Sequence, residues 1–293
     1  MTAVEVRPAA EAAEETPPTP PEGRGSAVLR MTGVSVSLLG VLLLGFVGYL
    51  ALLSPLQHDR DQVTLYADFR YALAQGTAPV GADIDPGTAV AVLTVPRLGL
   101  REVVVEGTSS AELAHGPGHR RDTPLPGQPG VSVLLGRAGT YGGPFGGIGR
   151  LHSGDVITVA TGQGLASYVV NGLGPQIMTP PAGSSTLVLV TADNRVAPTG
   201  EVLVTASLTS QPVPGNSAKR PVIGASEVGL TSDTAAVVPL MLWAEALLLA
   251  VALTTWSYLR WSRWPTYVTS TPVLLAILWN IFECVARLLP NTL

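Results

Sequence analysis

Three apolar segments, each about as long as a helix that crosses a lipid bilayer, constrain the fold of this chain most strongly. They cover residues 31–53, 237–259 and 267–289. The first contains no charged residue, and Trp and Tyr lie near the ends of the other two, as is typical of side chains at a membrane interface. We expect three transmembrane helices. Because Glu283 and Arg287 lie within the third segment, a re-entrant or peripheral helix is the alternative there.

Basic residues indicate the orientation of these helices. Arg24 and Arg30 precede the first segment, and Arg260 and Arg263 lie in the short loop 260–266 between the second and third. Because cytoplasmic loops are enriched in Lys and Arg, we predict that the N-terminus and this loop are cytoplasmic. The residues between the first and second spans are then extracytoplasmic, and the chain is a multi-pass protein of the cell membrane.

The composition agrees with contact with lipid. Charged residues are 13% and hydrophobic residues 46% of the 293 residues, whereas soluble domains have about a quarter of their residues charged. A net charge of −4 leaves no large basic surface, so nucleic acid is not expected as a partner. The single cysteine excludes an internal disulfide or a multi-cysteine zinc site, and no His, Asp and Glu residues have ligand spacing. We predict no metal and no cofactor.

The segments around these spans differ in composition. Residues 1–25 are rich in Ala, Glu and Pro and are predicted to form a disordered cytoplasmic tail. Residues 57–85 are predicted to form a juxtamembrane helix and linker, with apolar residues spaced four apart for packing on the domain that follows. Residues 210–236 are polar and rich in turn-forming residues, which is typical of a linker back to the membrane.

Between these segments, residues 86–209 contain short apolar or alternating runs separated by Gly and Pro. The seven runs are AVAVLTV, REVVVEG, VSVLLG, DVITVAT, ASYVVNG, STLVLVT and EVLVTASL. Short strands at this spacing, with only one helix before them, are typical of a mainly β fold, either a barrel or a sandwich.

The same region contains an ordered set of unusual motifs. Along the chain these are LTVPRLGLREVVVEGTSSAELAHGPGH, TPLPGQPG, a TYGGPF loop, RLHSGDVITVAT and a strand ending in Val190-Thr191-Ala192-Asp193. In this order the motifs resemble the class E sortase family of actinobacteria, from about Leu65 to Leu208.

The resemblance implies an eight-stranded sortase-type β-barrel anchored in the membrane of a Gram-positive cell envelope. It also implies a cysteine transpeptidase, which cuts a sorting signal of the Leu-(Pro/Ala)-x-Thr-Gly type and joins the protein to an amino nucleophile of the cell wall. For this reaction the family uses a cysteine thiolate as nucleophile, a histidine that exchanges the proton, and an arginine that supports the oxyanion or positions the peptide.

Each of these three family positions holds a different residue in this chain. Arg137 stands at the histidine position in LGRAGTYGGPF, Ala192 at the cysteine position and Glu201 at the arginine position. Alanine has no nucleophilic atom, arginine cannot act as a base near neutral pH, and glutamate reverses the charge. From these replacements we predict that the chain is a pseudosortase without catalytic residues, and so not an enzyme.

Six other side chains are candidates to replace the missing chemistry: Cys284, Thr191, His58, His115, His119 and His152. The cysteine lies in the third apolar segment, where a thiol is expected to be inert. The two histidines of HGPGH are expected to have a loop or packing role, and the other two are expected at the surface. No base can be assigned to the threonine.

The groove of such a barrel allows two interpretations. If the family geometry holds, Arg137 and Glu201 lie close together, and they then form a charge pair that fills the old site. Alternatively the groove binds peptides that resemble sorting signals without cutting them.

Charged residues within the apolar segments are a second candidate site. Glu245 lies about eight residues into the second span, and Glu283 and Arg287 lie within the third. Since charges in lipid are costly unless paired, we expect Glu283 and Arg287, four residues apart, to pair on one helix face. Glu245 then either reaches Arg287, meets a basic group of a partner, or lies near the headgroups.

The last residues contain Leu289-Pro290-Asn291-Thr292, which fits the first four positions of a sorting pentapeptide. A sorting signal also needs a following Gly, an apolar span and a basic tail, whereas here the apolar span comes before the motif. We interpret the motif as chance or as a helix-ending proline.

We therefore predict a scaffold, accessory or structural subunit of a cell-envelope membrane assembly. Its expected partners are other membrane or envelope proteins, the lipid bilayer and peptides that resemble sorting signals. One alternative is an active sortase-type transpeptidase that uses unidentified residues or a site shared with another subunit. Another is an assembly subunit whose barrel is only a spacer and has no affinity for peptides.

Overall fold

A computed structural model of the chain describes residues 24–81, 83–174, 184–215, 220–260 and 263–293. Most of the predicted tail, and residues 261–262 of the predicted cytoplasmic loop, lie outside these ranges. By its contacts the chain divides into two units, Met1–Gly45 and Phe46–Leu293. The barrel and the candidate site belong entirely to the second unit.

The first helical stretch is longer than predicted. Helix α1, Arg24–Gly48, runs through a π-helical turn at Tyr49–Leu53 into α2, Ser54–Gln75. Together they are far longer than the roughly 20 residues that a bilayer requires, so the polar part of α2 extends beyond the apolar segment. Gly76, at a φ of 66°, ends α2 in the left-handed conformation that glycine adopts without strain.

The core of the second unit is a closed β-barrel, which confirms the predicted fold. Its strands are β1 (Ala89–Val95), β2 (Leu100–Glu106), β3 (Gly118–His119), β4 (Gly130–Leu135), β5 (Val156–Thr161), β6 (Gly164–Leu173), β7 (Ser185–Ala192) and β8 (Glu201–Leu208). They are hydrogen-bonded in the order β1-β2-β3-β4-β7-β8-β6-β5. The β4–β7 pair is parallel, and the β7–β8 pair is antiparallel.

Strand β7 is buried along its whole length because both of its faces are covered. Leu187 and Leu189 point into the barrel, while Val188 and Val190 pack on the outside with Leu113 of the short helix α3, Ser110–His115. This second, smaller core lies beside the end of the barrel at which the candidate site is found.

Helix α2 packs on the opposite part of the barrel, against β1 and β2. Phe69 is 1% exposed and lies with Val92 and Val103 in one apolar cluster. The Gln62 amide donates to the carbonyls of Val103 and His115 at 3.1 and 2.8 Å, so that the helix is fixed by polar as well as apolar contacts.

After the barrel, the chain returns to two apolar helices. These are α4, Val237–Arg260, and α5, Arg263–Arg287, which pack on each other. Within the described part of the chain, three helical stretches are long and apolar enough to cross a membrane: Val28–Gln75, Thr234–Arg260 and Trp264–Arg287.

Residues 210–236, predicted as a linker, lie against the barrel where the structure describes them. Glu227 accepts two hydrogen bonds from Arg121, at 2.6 and 3.0 Å, and its backbone carbonyl accepts one from Thr108. Arg220 donates to the Thr123 carbonyl. These polar contacts fix a segment whose composition predicts only flexibility.

Candidate functional site

The residues that the resemblance assigns to the three family positions, Arg137, Ala192 and Glu201, lie at one end of the barrel. Leu135 of β4 pairs with Val190 of β7, so Arg137 and Ala192 each lie two residues beyond this pair. Ala192 pairs directly with Glu201 across β7 and β8. The topology therefore brings together the three residues that the resemblance singles out.

Arg137 is fully buried and holds the loop after β4 in place. Its guanidinium donates to the carbonyls of Ser110 and Leu113, at 2.9 and 3.2 Å, and to the hydroxyls of Ser110 and Thr140, at 2.7 and 3.0 Å. It also lies over the ring of Tyr141, 4.8 Å from the centroid. Burial lowers the pKa of Arg137 to about 10, so the group stays charged near neutral pH.

The predicted charge pair between Arg137 and Glu201 does not form. Among the described residues the guanidinium bonds only to neutral oxygens, namely those of Ser110 and Leu113 of α3 and of Thr140. Glu201 instead lies on the groove side, where a Cβ added at Gly229 would clash with its carboxylate. Burial raises the pKa of Glu201, and the charge of Arg120 partly offsets this effect.

Thr191 and Ala192 end strand β7 with little exposure, 3% and 4%. The Thr191 hydroxyl donates to the Gly136 carbonyl at 2.8 Å, which ties the ends of β7 and β4 together. The hydroxyl is therefore used as a structural donor.

His119 is the histidine with the most enclosed surroundings. Its Nδ1 lies 2.7 Å from Glu106, and its Nε2 lies 3.0 Å from the Pro124 carbonyl and 3.2 Å from the Thr123 hydroxyl. The carboxylate, imidazole and hydroxyl have the order of a catalytic triad. However, the Thr123 hydroxyl donates to the Arg120 carbonyl at 2.7 Å, and the arrangement joins β2 to the loop after β3.

The other histidines differ in their placement. His115 pairs with Asp61 of α2 at 2.7 Å, and His152 is exposed. His58 was expected at the surface, and this prediction is wrong. Its ring is 3% exposed and lies 3.1 Å from Glu102, because α2 packs this part of its surface on the barrel.

A groove of about 360 Å³ runs along the outer face of β4, β7 and β8 beside this end of the barrel. Its floor is apolar and includes Val133, Leu135, Val188, Val190 and Leu203. Charged side chains line its rim: Arg120, Glu201 and Glu227. The segment around Val228 and Gly229 forms one wall. Sequence reasoning missed Glu227, because no local pattern indicates that a residue after β8 returns to the groove.

The three charged residues of the apolar helices α4 and α5 differ in their contacts. Glu283 and Arg287 form an ion pair at 2.7 Å on α5. Glu245 is exposed on α4, and no hydrogen bond or ion pair of its side chain is found within the described ranges. Of the three alternatives for Glu245, a contact with Arg287 is therefore not observed there. Cys284 is buried on α5 and has no disulfide partner.

No group of three or more His, Cys, Asp or Glu side chains among the described residues could hold a metal ion.

Comparisons with known proteins bear on the barrel. Residues 93–209 match the family model described as Sortase domain. No curated protein shows a significant match to the chain. Among solved structures the chain is similar to a Sortase D5 transpeptidase from Clostridium perfringens, with 21% identity and a TM-score of 0.45 over 52% of this chain and 99% of that chain.

Two further solved structures are similar to this chain. Sortase E from Streptomyces avermitilis is 28% identical, with a TM-score of 0.38 over 43% of this chain and 91% of that chain. Sortase C from Clostridium perfringens is 23% identical, with a TM-score of 0.38 over 53% of this chain and 90% of that chain.

The prediction that the chain is not an enzyme must be corrected. Three side-chain replacements do not decide the activity of the whole protein, and residues 93–209 match the model of a sortase domain. The assignment of Arg137, Ala192 and Glu201 to the three family positions stays a prediction from the resemblance, and nothing in the described residues demonstrates a loss of activity. Residues 93–209 are thus similar to a sortase domain, and the described part of the chain also carries three helices apolar enough to cross a membrane.

Proposed function

We propose that this protein is an accessory or structural subunit of a cell-envelope membrane assembly, to which it contributes a sortase domain. In this proposal the domain lies on the outer face of the membrane and the N-terminus is cytoplasmic. The positions of Arg30 and Arg260 at the predicted cytoplasmic ends of the first and second spans support this orientation.

The observation that carries the proposal is the exposed carboxylate of Glu245. It lies about 12 Å along α4 from the first residue of the helix, at a rise of about 1.5 Å per residue. Apolar side chains surround it on the same exposed surface, namely Met241, Leu242, Leu248 and Leu249. An ionisable side chain at this depth is costly in lipid unless it is paired.

We infer that the partner is a transmembrane helix of another protein with a Lys, Arg or hydrogen-bond donor at the same depth. The residues of α4 that line the α5 side are different ones and include Ala250, Thr254 and Ser257. The surface around Glu245 therefore remains available in the isolated chain. A lone acid on an otherwise apolar helix face suits recognition of one complementary helix rather than general affinity for lipid.

The groove beside β7 supports a role in holding peptides. Its apolar floor, with Arg120 and Glu201 at the rim, suits an extended chain whose apolar side chains face inward and whose polar groups face the rim. Peptides that resemble sorting signals are the ligands we propose. The class E assignment rests on the ordered motifs of the sequence and is likewise part of this proposal.

A second candidate function follows from the match to the sortase model. Sortase chemistry needs a nucleophile, and the methyl group of Ala192 cannot supply one. A transpeptidase built on this chain would then use a nucleophile from another subunit in a shared site. Incubation of sorting peptides with the purified chain, alone and with its copurified partners, separates the two functions by the appearance of transfer product.

The proposed assembly is tested by purification of the tagged full chain from native membranes. We expect the wild type to bring down at least one other membrane protein, and Glu245→Ala to lose it while the variant is still inserted at normal abundance. Glu283→Ala is the matched control, because that carboxylate has its own partner in Arg287. Equal recovery with wild type and Glu245→Ala would refute the assembly role assigned to α4.

A further inference from the structure

The helical stretch that leaves the first apolar segment changes its hydrogen-bond register just before it reaches the barrel. An α-helix would pair the amide of Ser54 with the carbonyl of Leu50, whereas here this amide donates to the Tyr49 carbonyl. Pro55 follows and has no amide to offer the Leu50 carbonyl. The Ser54 hydroxyl donates to that carbonyl instead, at 2.7 Å. The sequence Ser54-Pro55 therefore favours this π-helical turn.

The π-helical turn contacts the loop after β4 through two hydroxyl groups. The amide of Tyr141 donates to the Ser54 hydroxyl at 3.1 Å, and the phenol oxygens of Tyr49 and Tyr141 lie 3.3 Å apart. Both rings are buried in one apolar cluster with Ala114 of α3 and Ala286 of α5. We call Tyr49, Ser54 and Tyr141 the junction, because the helical stretch, the loop, α3 and α5 meet there.

Tyr141 has an unfavourable backbone conformation. Its φ is 49°, and among the residues that the structure describes it is the only one other than glycine with a positive φ. A side chain in this left-handed conformation clashes with its own backbone, so the conformation persists only where the surroundings hold it. The contacts of Tyr141 with Ser54 and Tyr49 are such surroundings. The loop therefore relaxes to another conformation when these contacts are lost.

Tyr49 is in turn held by α5. Trp279 meets the Tyr49 ring edge-on, with the two ring centroids 5.4 Å apart, and the ring of Phe282 lies 6.0 Å from it in a tilted arrangement. Aromatic pairs of this kind favour specific geometries, so they fix the position of the Tyr49 ring. An apolar helix and the loop after β4 are therefore linked through one side chain.

The loop also reaches Arg137. The guanidinium donates to the Thr140 hydroxyl at 3.0 Å and lies over the ring of Tyr141, 4.8 Å from its centroid. A change in the conformation of Tyr141 withdraws this ring and moves the neighbouring hydroxyl. The junction thus connects α5 to the residue that the resemblance assigns to the histidine position.

We propose that the junction is a conformational switch between the apolar helices and this end of the barrel. While α5 packs on Tyr49, the junction keeps Tyr141 in its left-handed conformation, and the loop that supports Arg137 stays ordered. When α5 moves away, the π-helical turn changes to the α-helical register, Ser54 lets go of the Tyr141 amide, and the loop relaxes. The coupling lies within one chain and needs no partner at Glu245, so it goes beyond the proposed function and is independent of the assembly role.

The test follows hydrogen exchange of the full chain in nanodiscs. The reporters are the amides of Gly143, Phe145 and Gly146, whose acceptors are carbonyls of Thr140, Arg137 and Gly143. The substitutions below leave these donors and acceptors in place, so a change in exchange reports the loop as a whole. Continued protection of the β7 amides shows that the barrel is folded.

Two substitutions act on opposite sides of the junction. Trp279→Leu removes the edge contact with Tyr49, and its matched control is Trp256→Leu, at an exposed tryptophan of α4. Ser54→Ala removes the hydroxyl that joins the helix to the loop. Its matched control is Thr64→Ala, since that hydroxyl also bonds a carbonyl four residues back but lies exposed on α2.

Both substitutions should open the loop. We expect exchange at the reporter amides to be about fivefold faster in Trp279→Leu, because one aromatic pair is lost. In Ser54→Ala it should be about tenfold faster, because two hydrogen bonds are lost. The two controls should exchange like the wild type. The combined variant should exchange more slowly than the product of the two effects, since both act on the same junction.

Tyr141→Gly decides whether the effect passes through the junction. Glycine adopts the left-handed conformation without strain, so in this background Trp279→Leu should no longer change exchange at the reporter amides. Unchanged exchange in Trp279→Leu in the otherwise wild-type chain would overturn the proposal, because α5 would then not be coupled to the loop. Equal acceleration by Trp279→Leu with and without the Tyr141 side chain would also overturn it, because the coupling would then bypass the junction.

Discussion

Ala192, the last residue of β7, lies directly opposite Glu201, the first residue of β8. A methyl group and a carboxylate thus occupy neighbouring positions at which the resemblance to sortases places a thiol and a guanidinium. The carboxylate is not neutralised by Arg137, which is bonded to Ser110, Leu113 and Thr140 instead. The end of the barrel therefore has a carboxylate at the rim of the groove and a separate, buried guanidinium beside α3.

Replacement of this carboxylate should change how stability depends on pH. Burial raises the pKa of Glu201 above its ordinary value of 4.5. Since the folded protein favours the protonated form, the contribution of this group to stability is fully present below pH 4.5 and is lost as the pH rises through the folded pKa. We expect Glu201→Gln to have a higher thermal midpoint than the wild type at pH 7, and the difference to shrink toward pH 4.

This prediction is checked by thermal denaturation of the full chain in detergent at a series of pH values. Glu112→Gln is unsuitable as a control, because that carboxylate caps α3. Asp68→Asn, at an exposed position of α2 outside the groove, is a better one. A wild-type advantage over Glu201→Gln at pH 7 would show that the carboxylate has a stabilising partner.

Loss of the buried guanidinium should destabilise the domain. Arg137→Met keeps much of the side-chain length but leaves the carbonyls of Ser110 and Leu113 without their donors. We expect the free energy of unfolding to fall by about 2–4 kcal/mol, since each buried acceptor without a partner costs about 1–3 kcal/mol. Relief of the desolvated charge offsets only part of this loss.

Chemical or thermal denaturation of the full chain measures the effect. Arg195→Met is the matched control, because Arg195 is exposed and donates one hydrogen bond of 3.2 Å to Gly146. Equal stability of the two variants would contradict the role of Arg137 as the support of the loop after β4.

The contact between Arg121 and Glu227 should protect the segment after β8, which forms one wall of the groove, from proteolysis. Their side chains are 20% and 11% exposed, and two charge-assisted hydrogen bonds join them. Glu227→Gln should weaken the attachment of the segment by about 1–2 kcal/mol. Cleavage by thermolysin at the Val222–Ile223 bond should then be about tenfold faster, which limited proteolysis followed by mass spectrometry measures.

Arg121→Gln provides the paired test. Because it removes the same contact, it should accelerate cleavage to a similar extent, and the double variant should add little. Additive effects of the two changes would mean that each residue holds the segment through different partners.

Local sequence patterns were sufficient for most of the barrel. The seven apolar runs correspond to seven strands, because alternation and flanking turns are properties of each run alone. Strand β3 has only two residues, Gly118–His119, and no pattern can emerge over that length. Helix α3 was missed although Ser109 and Glu112 form a capping box, a signal that the sequence does contain.

The parts of the site that sequence could not predict depend on contacts between distant residues. Ser110 and Arg137 are 27 residues apart, and Thr140 and Leu293 are 153 apart. His58 becomes buried only because α2 packs on the barrel. The opposite charges of Arg137 and Glu201 predict that these two side chains pair. The guanidinium instead donates to oxygens of α3 and of Thr140, which lie close to it only in the folded chain.

The central proposal is that the chain contacts another membrane protein through the exposed surface of α4 around Glu245. A photoactivatable residue at Leu248, on the exposed side with Glu245, should crosslink to a second membrane protein in native membranes. The same group at Thr254, which lines the cleft between α4 and α5, should crosslink only within the chain.

The direct measurement compares these crosslinks with and without Glu245→Ala. The account predicts one discrete crosslinked partner from position 248 and its loss in Glu245→Ala, with the internal crosslink from position 254 unchanged. Labelling of lipid alone from position 248, or the same partner in both backgrounds, would contradict the claim that this carboxylate joins the chain to a membrane assembly.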